Sequence, residues 1–330
     1  IYDIHGSNAN RLISCLFIAI LTIVFFTVND GKTQNTNSFD NLGVLHHIKV
    51  LNMSNTQVIA SNDTLKPAPI IKFHKIDKEF IEPNITAKSA LVVDFETGDI
   101  LYNKNALDRH QLASITKILS AMVVMDEYKW GDNKYLTMSQ TAFDTYGGNS
   151  LKINEVFTVE NLLKASLMVS SNDSTELLAE NFGGVDVFVS KMNQKAQSLN
   201  MIDSKFFNPH GLDQQPFSNY TTASDIIKLT KDLYENYPDL VEVMQQKEVL
   251  ISSQAGQEIR LINTNEILGV APEMLLGKTG LTDEAGETFT SVVSIKNRVV
   301  GIVVLQSGIG GYRFQDTKNL IKWVEDNYEI

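Results

Sequence analysis

Hydrophobic and polar positions change rhythm three times along the chain. Residues 12–28 read LISCLFIAILTIVFFTV, seventeen positions without a charge, behind Arg11 and ahead of the polar run 29–37. No polar face interrupts the run, so it does not read as the stripe of an amphipathic core helix. Its length lies at the short edge of the roughly 17–25 apolar residues that span a bilayer, and above the core of a secretory signal. The residues that close it, Phe25, Phe26, Thr27 and Val28, lack the small side chains of a signal cleavage site. Residues 1–29 are therefore expected to be an uncleaved membrane anchor, with Arg11 favouring a cytoplasmic N-terminus and the bulk of the chain outside. Cleavage would instead give a secreted protein. Cys15 sits inside the run and needs no chemical role.

From residue 30 to 84 the chain is rich in Asn, Ser, Thr and Asp, carries Pro67, Pro69 and Pro83, and shows no sustained periodicity. This reads as a polar linker that holds a domain away from a membrane.

Beyond residue 85 the pattern is that of a packed domain. SALVVDF, the turn Glu96-Thr97-Gly98-Asp99 and then ILYN predict a hairpin with β-branched arms. Helical spacing follows at 114–128, 159–169, 174–182, 185–199 and 223–234. Extended segments return at 247–253 and 258–263, and a second hairpin is predicted from 287–296 and 299–306. A last amphipathic helix spans about 312–328, with Leu320, Ile321, Trp323 and Val324 as its inner face. The class is α+β: an antiparallel sheet flanked by helices (about 85–130 and 245–330) with an all-helical lobe (about 131–244) inserted between its halves.

Composition removes several functions. Lys and Arg total 28 against 39 Asp and Glu, a net charge of −11, the wrong sign for coating phosphate backbones, so nucleic acid is not an expected partner. One cysteine excludes a disulfide framework and any multi-cysteine metal site.

Three short motifs carry candidate chemistry. In Ser114-Ile115-Thr116-Lys117, residues three apart on a helix share a face, so a serine that starts the helix would hold its hydroxyl beside the lysine amine. The helix N-terminus would favour a developing oxyanion and an uncharged lysine. Alone, the motif reads equally as an N-cap serine followed by a surface lysine. Ser170-Ser171-Asn172-Asp173 offers a hydroxyl and a carboxamide that can point the same way from an extended turn; alone it is an ordinary capping loop. Lys278-Thr279-Gly280 combines a cation and a hydroxyl, a natural carboxylate clamp, with flanking Gly277 and Gly280 permitting close backbone approach. A phosphate loop is excluded because Pro272 stands where its first glycine belongs.

S-x-x-K, S-x-N and K-T-G in this order resemble the low-molecular-weight penicillin-binding proteins that are D-alanyl-D-alanine carboxypeptidases. ALVVDFETGDILYNKNA, GGNSLKINEVFTVENLL, FFNPHGLD and NTNEIL are similar to that family's own phrases, so the resemblance covers about three quarters of the chain. Ser170 follows Ser114 by 56 residues and Lys278 follows Ser170 by 108, intervals closer to the carboxypeptidases than to class A β-lactamases, and the latter's Glu-x-x-Leu-Asn segment is missing.

The resemblance implies a penicillin-binding protein/β-lactamase-like transpeptidase fold and a serine enzyme without cofactor or metal. By the same resemblance it would remove the terminal D-Ala of peptidoglycan stem peptides in the bacterial cell envelope and be trapped by β-lactams. Ser114 would be the nucleophile, Lys117 its base and Ser170 the proton relay to the leaving D-Ala. Asn172 would hold a substrate amide, Lys278, Thr279 and Gly280 would bind the terminal carboxylate, and the N–H of Leu281 would join that of Ser114 in an oxyanion hole. His210 reads as structural. The alternatives are a D,D-endopeptidase that cuts cross-links and a non-catalytic peptidoglycan-binding protein. Two departures stand out. Leu281 and Glu287 replace residue types common in the family, and the chain runs about fifty residues past the third motif, so membrane attachment is expected from the N-terminus rather than a C-terminal helix.

Overall fold

The computed structural model describes residues 72–148 and 151–330. The expected anchor at 12–28 and most of the linker lie outside the described residues; among these, no helix is long and apolar enough to cross a membrane.

The segment Ser89–Asp94 (β1) is buried at all six positions, which places it inside a sheet covered on both faces. It pairs with Ile100–Lys104 (β2) around the predicted turn, where Gly98 takes the required positive φ of 77°. Met274–Thr282 (β3), Gly286–Ile295 (β4) and Arg298–Ser307 (β5) complete an antiparallel sheet of order β3-β4-β5-β1-β2. The β4–β5 connection is a two-residue loop with Lys296 and Asn297 both at positive φ, 49° and 62°, the mirror-type turn that matches strand twist.

One face carries the helix Tyr312–Asn327, the α7 of a series whose other members are α1 Thr116–Met125, α2 Val159–Met168, α3 Asn172–Asn181, α4 Val185–Ser198, α5 Ala223–Asn236 and α6 Pro238–Gln245. Leu320, Ile321 and Val324 of α7 are buried against Val92, Val293 and Ile302; Trp323 is only partly buried. The other face shares a continuous core with α1 to α6. Thr158, Ser171 and Thr222 cap α2, α3 and α5 through their side-chain oxygens, so local polar chemistry sets where these helices begin.

Four expectations change. Helix α5, placed in the inserted lobe, lies on the sheet: Thr230 shares a buried 2.7 Å hydrogen bond with Thr290 of β4, and Ile227 fills the space left by Gly301 of β5. The hairpin Glu248–Ser252 with Glu258–Ile262, assigned to the sheet lobe, forms its own ribbon beside α2, where Asn161 donates to the Ser252 carbonyl. Helix α6 was not anticipated; eight residues are too few for periodicity to speak, although Pro238 at its first turn is a legitimate start signal. The linker also ends earlier than residue 84. His74 and Lys75 pair with Tyr328 and Glu329, Phe80 packs on Trp323 at 5.7 Å, and the Trp323 indole donates to the Ile81 carbonyl. Single aromatics spaced through polar sequence carry no period, so this packing was invisible in the pattern.

Candidate active site

Ser114 lies in a 3-10 turn, Ala113–Ile115, that feeds α1 two residues later. It is not an N-cap: the turn makes no side-chain cap hydrogen bond. Ala113 sits at φ 47°, a conformation unfavourable for a side chain, and two glycines press on it. A Cβ on Gly211 would fall 1.9 Å from the Ala113 carbonyl oxygen, and one on Gly280 would fall 2.8 Å from the Leu112 oxygen. The close approach foreseen for the third motif is thus real. It brings strand β3 against the serine turn.

Lys117, one helical turn on, is fully buried. Its Nζ stands 2.9 Å from Ser114 Oγ, 2.5 Å from Asn172 Oδ1 and 2.7 Å from the His210 carbonyl oxygen. Burial drives the amine well below its usual range, and the neighbouring cation of Lys278 pushes the same way while Asp173 opposes. A neutral amine has two N–H donors and one lone pair. In the ammonium form all three contacts are donated by Lys117; in the neutral form two fixed carbonyl-type acceptors can take the donors while the lone pair turns to the serine hydroxyl.

In the second motif Ser170, at φ 59°, lies two residues past the end of α2, whereas Asn172 is the first residue of α3. The two side chains meet different lysines. The Lys278 ammonium donates to Ser170 Oγ, while Asn172 accepts from Lys117 and donates its own N–H to the Tyr146 carbonyl at 2.7 Å. Asn172 thus ties Lys117 to the Tyr146 carbonyl and keeps one N–H and one oxygen lone pair for an incoming amide. Gly147 permits this contact, because a Cβ there would meet Asn172 Nδ2 at 2.8 Å.

Lys278 and Thr279 lie within strand β3 at the sheet edge. Alternation sends Lys278 and Gly280 toward the serine turn and Thr279 toward α7. Thr279 Oγ1 is 2.7 Å from Thr264 Oγ1, and the neighbouring Leu281 is half exposed. Burial and the charge of Arg313 bring the Lys278 amine down to about 7.

Arg313 escaped the sequence reading, since nothing local distinguishes one basic residue at the start of an amphipathic helix. Its Nη1 donates to the Gly280 carbonyl at 2.8 Å. Glu287, one of the two departures from the family's residue types, faces the same place from behind: its carboxylate accepts from the N–H groups of Gly310, Gly311 and Arg313 at 2.9, 2.7 and 3.1 Å. Burial pushes this acid up, but the backbone donors outweigh it and keep it ionised at the start of α7. His210 contributes its carbonyl. Its imidazole, pushed down to about 3 by burial and by Lys117, is neutral, so the 3.7 Å contact with Glu176 is not an ion pair. A cleft of about 790 Å³ between residues 78–84 and α7 contains no residue of the three motifs.

The sequence profile of the D-alanyl-D-alanine carboxypeptidases matches residues 77–308. The chain belongs to this family. D-alanyl-D-alanine carboxypeptidase DacF of Bacillus subtilis is 29% identical over 74% of this chain and 63% of its own length, so the chain spans less than two thirds of that relative. A D-alanyl-D-alanine endopeptidase of Escherichia coli is 30% identical over 74% of this chain and 79% of its own. Penicillin-binding protein D2 of Listeria monocytogenes, in its cefotaxime-bound crystal form, superposes with a TM-score of 0.65 at 30% identity, covering 74% of this chain and 99% of that one. The fold of this D-alanyl-D-alanine carboxypeptidase family member is accordingly the penicillin-binding one, with its antiparallel sheet and helical lobe.

Proposed function

We propose that the chain is a serine-type D,D-carboxypeptidase that removes the terminal D-Ala from peptidoglycan stem peptides through an acyl-enzyme on Ser114. The observation that carries this reading is the buried Lys117, whose Nζ is held by Asn172 and the His210 carbonyl 2.9 Å from Ser114 Oγ. The edge position of β3 supports it, because an extended peptide can add to the free side of that strand.

Ser114 Oγ attacks the carbonyl of the penultimate D-Ala and its proton passes to Lys117. The N–H groups of Ser114 and Leu281 stabilise the oxyanion. Collapse breaks the C–N bond; Ser170 gives its proton to the departing nitrogen and is refilled from the Lys278 ammonium on which it sits. Water then attacks the ester and returns a proton toward Ser170 and Lys278, and Lys117 restores the Ser114 hydroxyl. Thr279 and Arg313 hold the terminal carboxylate, with Gly280 fixing the strand against the serine turn. A β-lactam, which offers a reactive amide and a carboxylate in similar disposition, would acylate Ser114 in the same way.

The intact Ser114–Lys117 pair argues against a purely binding role. The uncharged run 12–28 supports tethering to the membrane with the catalytic unit outside. Release of D-Ala from a pentapeptide and covalent penicillin labelling test the reading together: both should vanish in Ser114→Ala, and labelling that survives would refute the nucleophile.

A further inference from the structure

The segment 206–213, FFNPHGLD, meets Lys117 through the His210 carbonyl and also reaches the serine turn. Gly211, at φ 86°, packs so closely that an added Cβ would fall 1.9 Å from the Ala113 oxygen and 2.7 Å from Thr116 Oγ1. The buried Asn208 closes the turn that brings it there: its Oδ1 accepts from the Gly211 N–H at 2.7 Å and its Nδ2 donates to the Leu212 carbonyl at 3.0 Å. The segment is thus pinned against the backbone of the nucleophile. It ends at Asp213.

Asp213 faces the turn that joins β3 to β4. Its carboxylate accepts from the Thr282 hydroxyl at 3.0 Å and from the Glu284 N–H at 3.2 Å, and Thr282 Oγ1 in turn accepts from the Ala285 N–H at 3.1 Å. The Glu284 side chain adds contacts with Gln111, Gln215 and Ser218. Thr282 directly follows Leu281. The peptide unit between Gly280 and Leu281 is planar and trans, so its C=O and N–H point to opposite sides. Arg313 Nη1 holds that C=O at 2.8 Å and so sets the plane of the unit. How far the N–H stands from Ser114 then depends on where the end of the strand is held, and Asp213 ties that end to the segment packed on the serine turn. An oxyanion-hole donor must stand about 2.7–3.1 Å from the developing charge, so this distance decides the rate.

We propose that Asp213 is a positioning residue for the oxyanion hole: through Thr282 it sets how far the Leu281 N–H stands from Ser114. The inference rests on the acyl-transfer reading above and adds to it a residue that acts through the strand end. The segment that presents a carbonyl to Lys117 also registers the strand that receives the negative charge. Base, serine turn and oxyanion donor share one support, so loss of Asp213 is felt where charge develops on the carbonyl oxygen and not where the ground state is held.

The test separates penicillin acylation of the full chain, by stopped flow, into a non-covalent Kd and a rate constant. It also measures inhibition by a peptidyl boronic acid, whose tetrahedral adduct on a serine oxygen places an oxygen where the oxyanion forms. In Asp213→Ala the rate constant should fall about tenfold, less than the roughly 10²-fold of a full ångström's displacement because Arg313 and Glu284 still hold the peptide and the turn. The boronic acid should bind about tenfold more weakly, while the penicillin Kd moves less than threefold. Asp213→Asn keeps an acceptor for the Thr282 hydroxyl and loses the one for the Glu284 N–H, so its rate should lie between the two. Thr282→Val alone should slow acylation about fivefold, but less than twofold further when added to Asp213→Ala, the non-additivity of residues that act through one contact. Should Asp213→Ala fail to fold, Thr282→Val carries the same split between rate constant and Kd. A rate constant within twofold of the unmodified protein's, or a slowing with boronic acid affinity unchanged, overturns the inference while labelling of the unmodified protein keeps the acyl-transfer reading. If penicillin does not label Ser114 of the unmodified protein, both fall.

Discussion

The Nζ of Lys117 stands 2.9 Å from Ser114 Oγ and is held there by Asn172 Oδ1 and the His210 carbonyl oxygen. The position of the amine is thereby set by residues distant in sequence. Replacing Lys117 with Ala should slow penicillin acylation by about 10²–10⁴-fold, the usual contribution of a positioned base. Stopped-flow acylation measures this, and near-normal rates would show that another group takes the proton.

Asn172→Asp tests the electrostatics of the same contact. A carboxylate beside Lys117 favours the ammonium, so the lysine pKa rises and the acid limb of the acylation profile moves up by about 1–3 pH units. Acylation at neutral pH should fall accordingly. An unmoved limb would mean that Lys117 does not titrate in that range.

Two buried amines held apart in protonation give a second pH dependence. Lys117 must be neutral, and Lys278, brought down to about 7, must be charged to hand a proton through Ser170. Activity therefore rises as Lys117 deprotonates and declines as pH passes through about 7 and Lys278 is lost as a donor. Lys278→Ala should abolish the alkaline limb together with most turnover in a pH series of D-Ala release.

Gly280→Ala should impair chemistry more than folding. The new Cβ would lie 2.3 Å from Thr288 Oγ1 and 2.8 Å from the Leu112 oxygen, forcing the serine turn away from β3. Overpacking of this kind costs about 1–3 kcal/mol. Displacing the nucleophile by an ångström costs about 10²-fold in rate. Denaturant unfolding and penicillin labelling read the two effects separately.

Asp316 anchors the stretch before β1. Its carboxylate accepts from the N–H groups of Thr86 and Ala87 and from the Thr86 hydroxyl at 2.8–2.9 Å, and it is buried. Asp316→Ala would strand these donors and should destabilise the protein by about 2–4 kcal/mol. Chemical denaturation checks the value, and a loss below 1 kcal/mol would show that water replaces the carboxylate without cost.

What the sequence by itself determined were features that depend on neighbours a few residues away. Alternation and turn residues marked the hairpins of β1–β2 and β4–β5, and helical spacing marked α1 to α5 and α7. The three motifs pointed to three hydroxyls, two amines and a carboxamide, because spacing along a strand or helix turn is local physics. What only the tertiary structure decided were relationships across long stretches of chain. Asn172 meets Lys117 and Ser170 meets Lys278 because the turn at Ser170 sends the two side chains to different lysines. Arg313 and Glu287 meet at the start of α7, and α5 lies on the sheet instead of in the inserted lobe. Residues 72–84 pack on the last helix through Phe73 and Phe80. None of these leaves a periodic trace, since a contact between residues a hundred positions apart is fixed by packing and hydrogen-bond satisfaction in three dimensions.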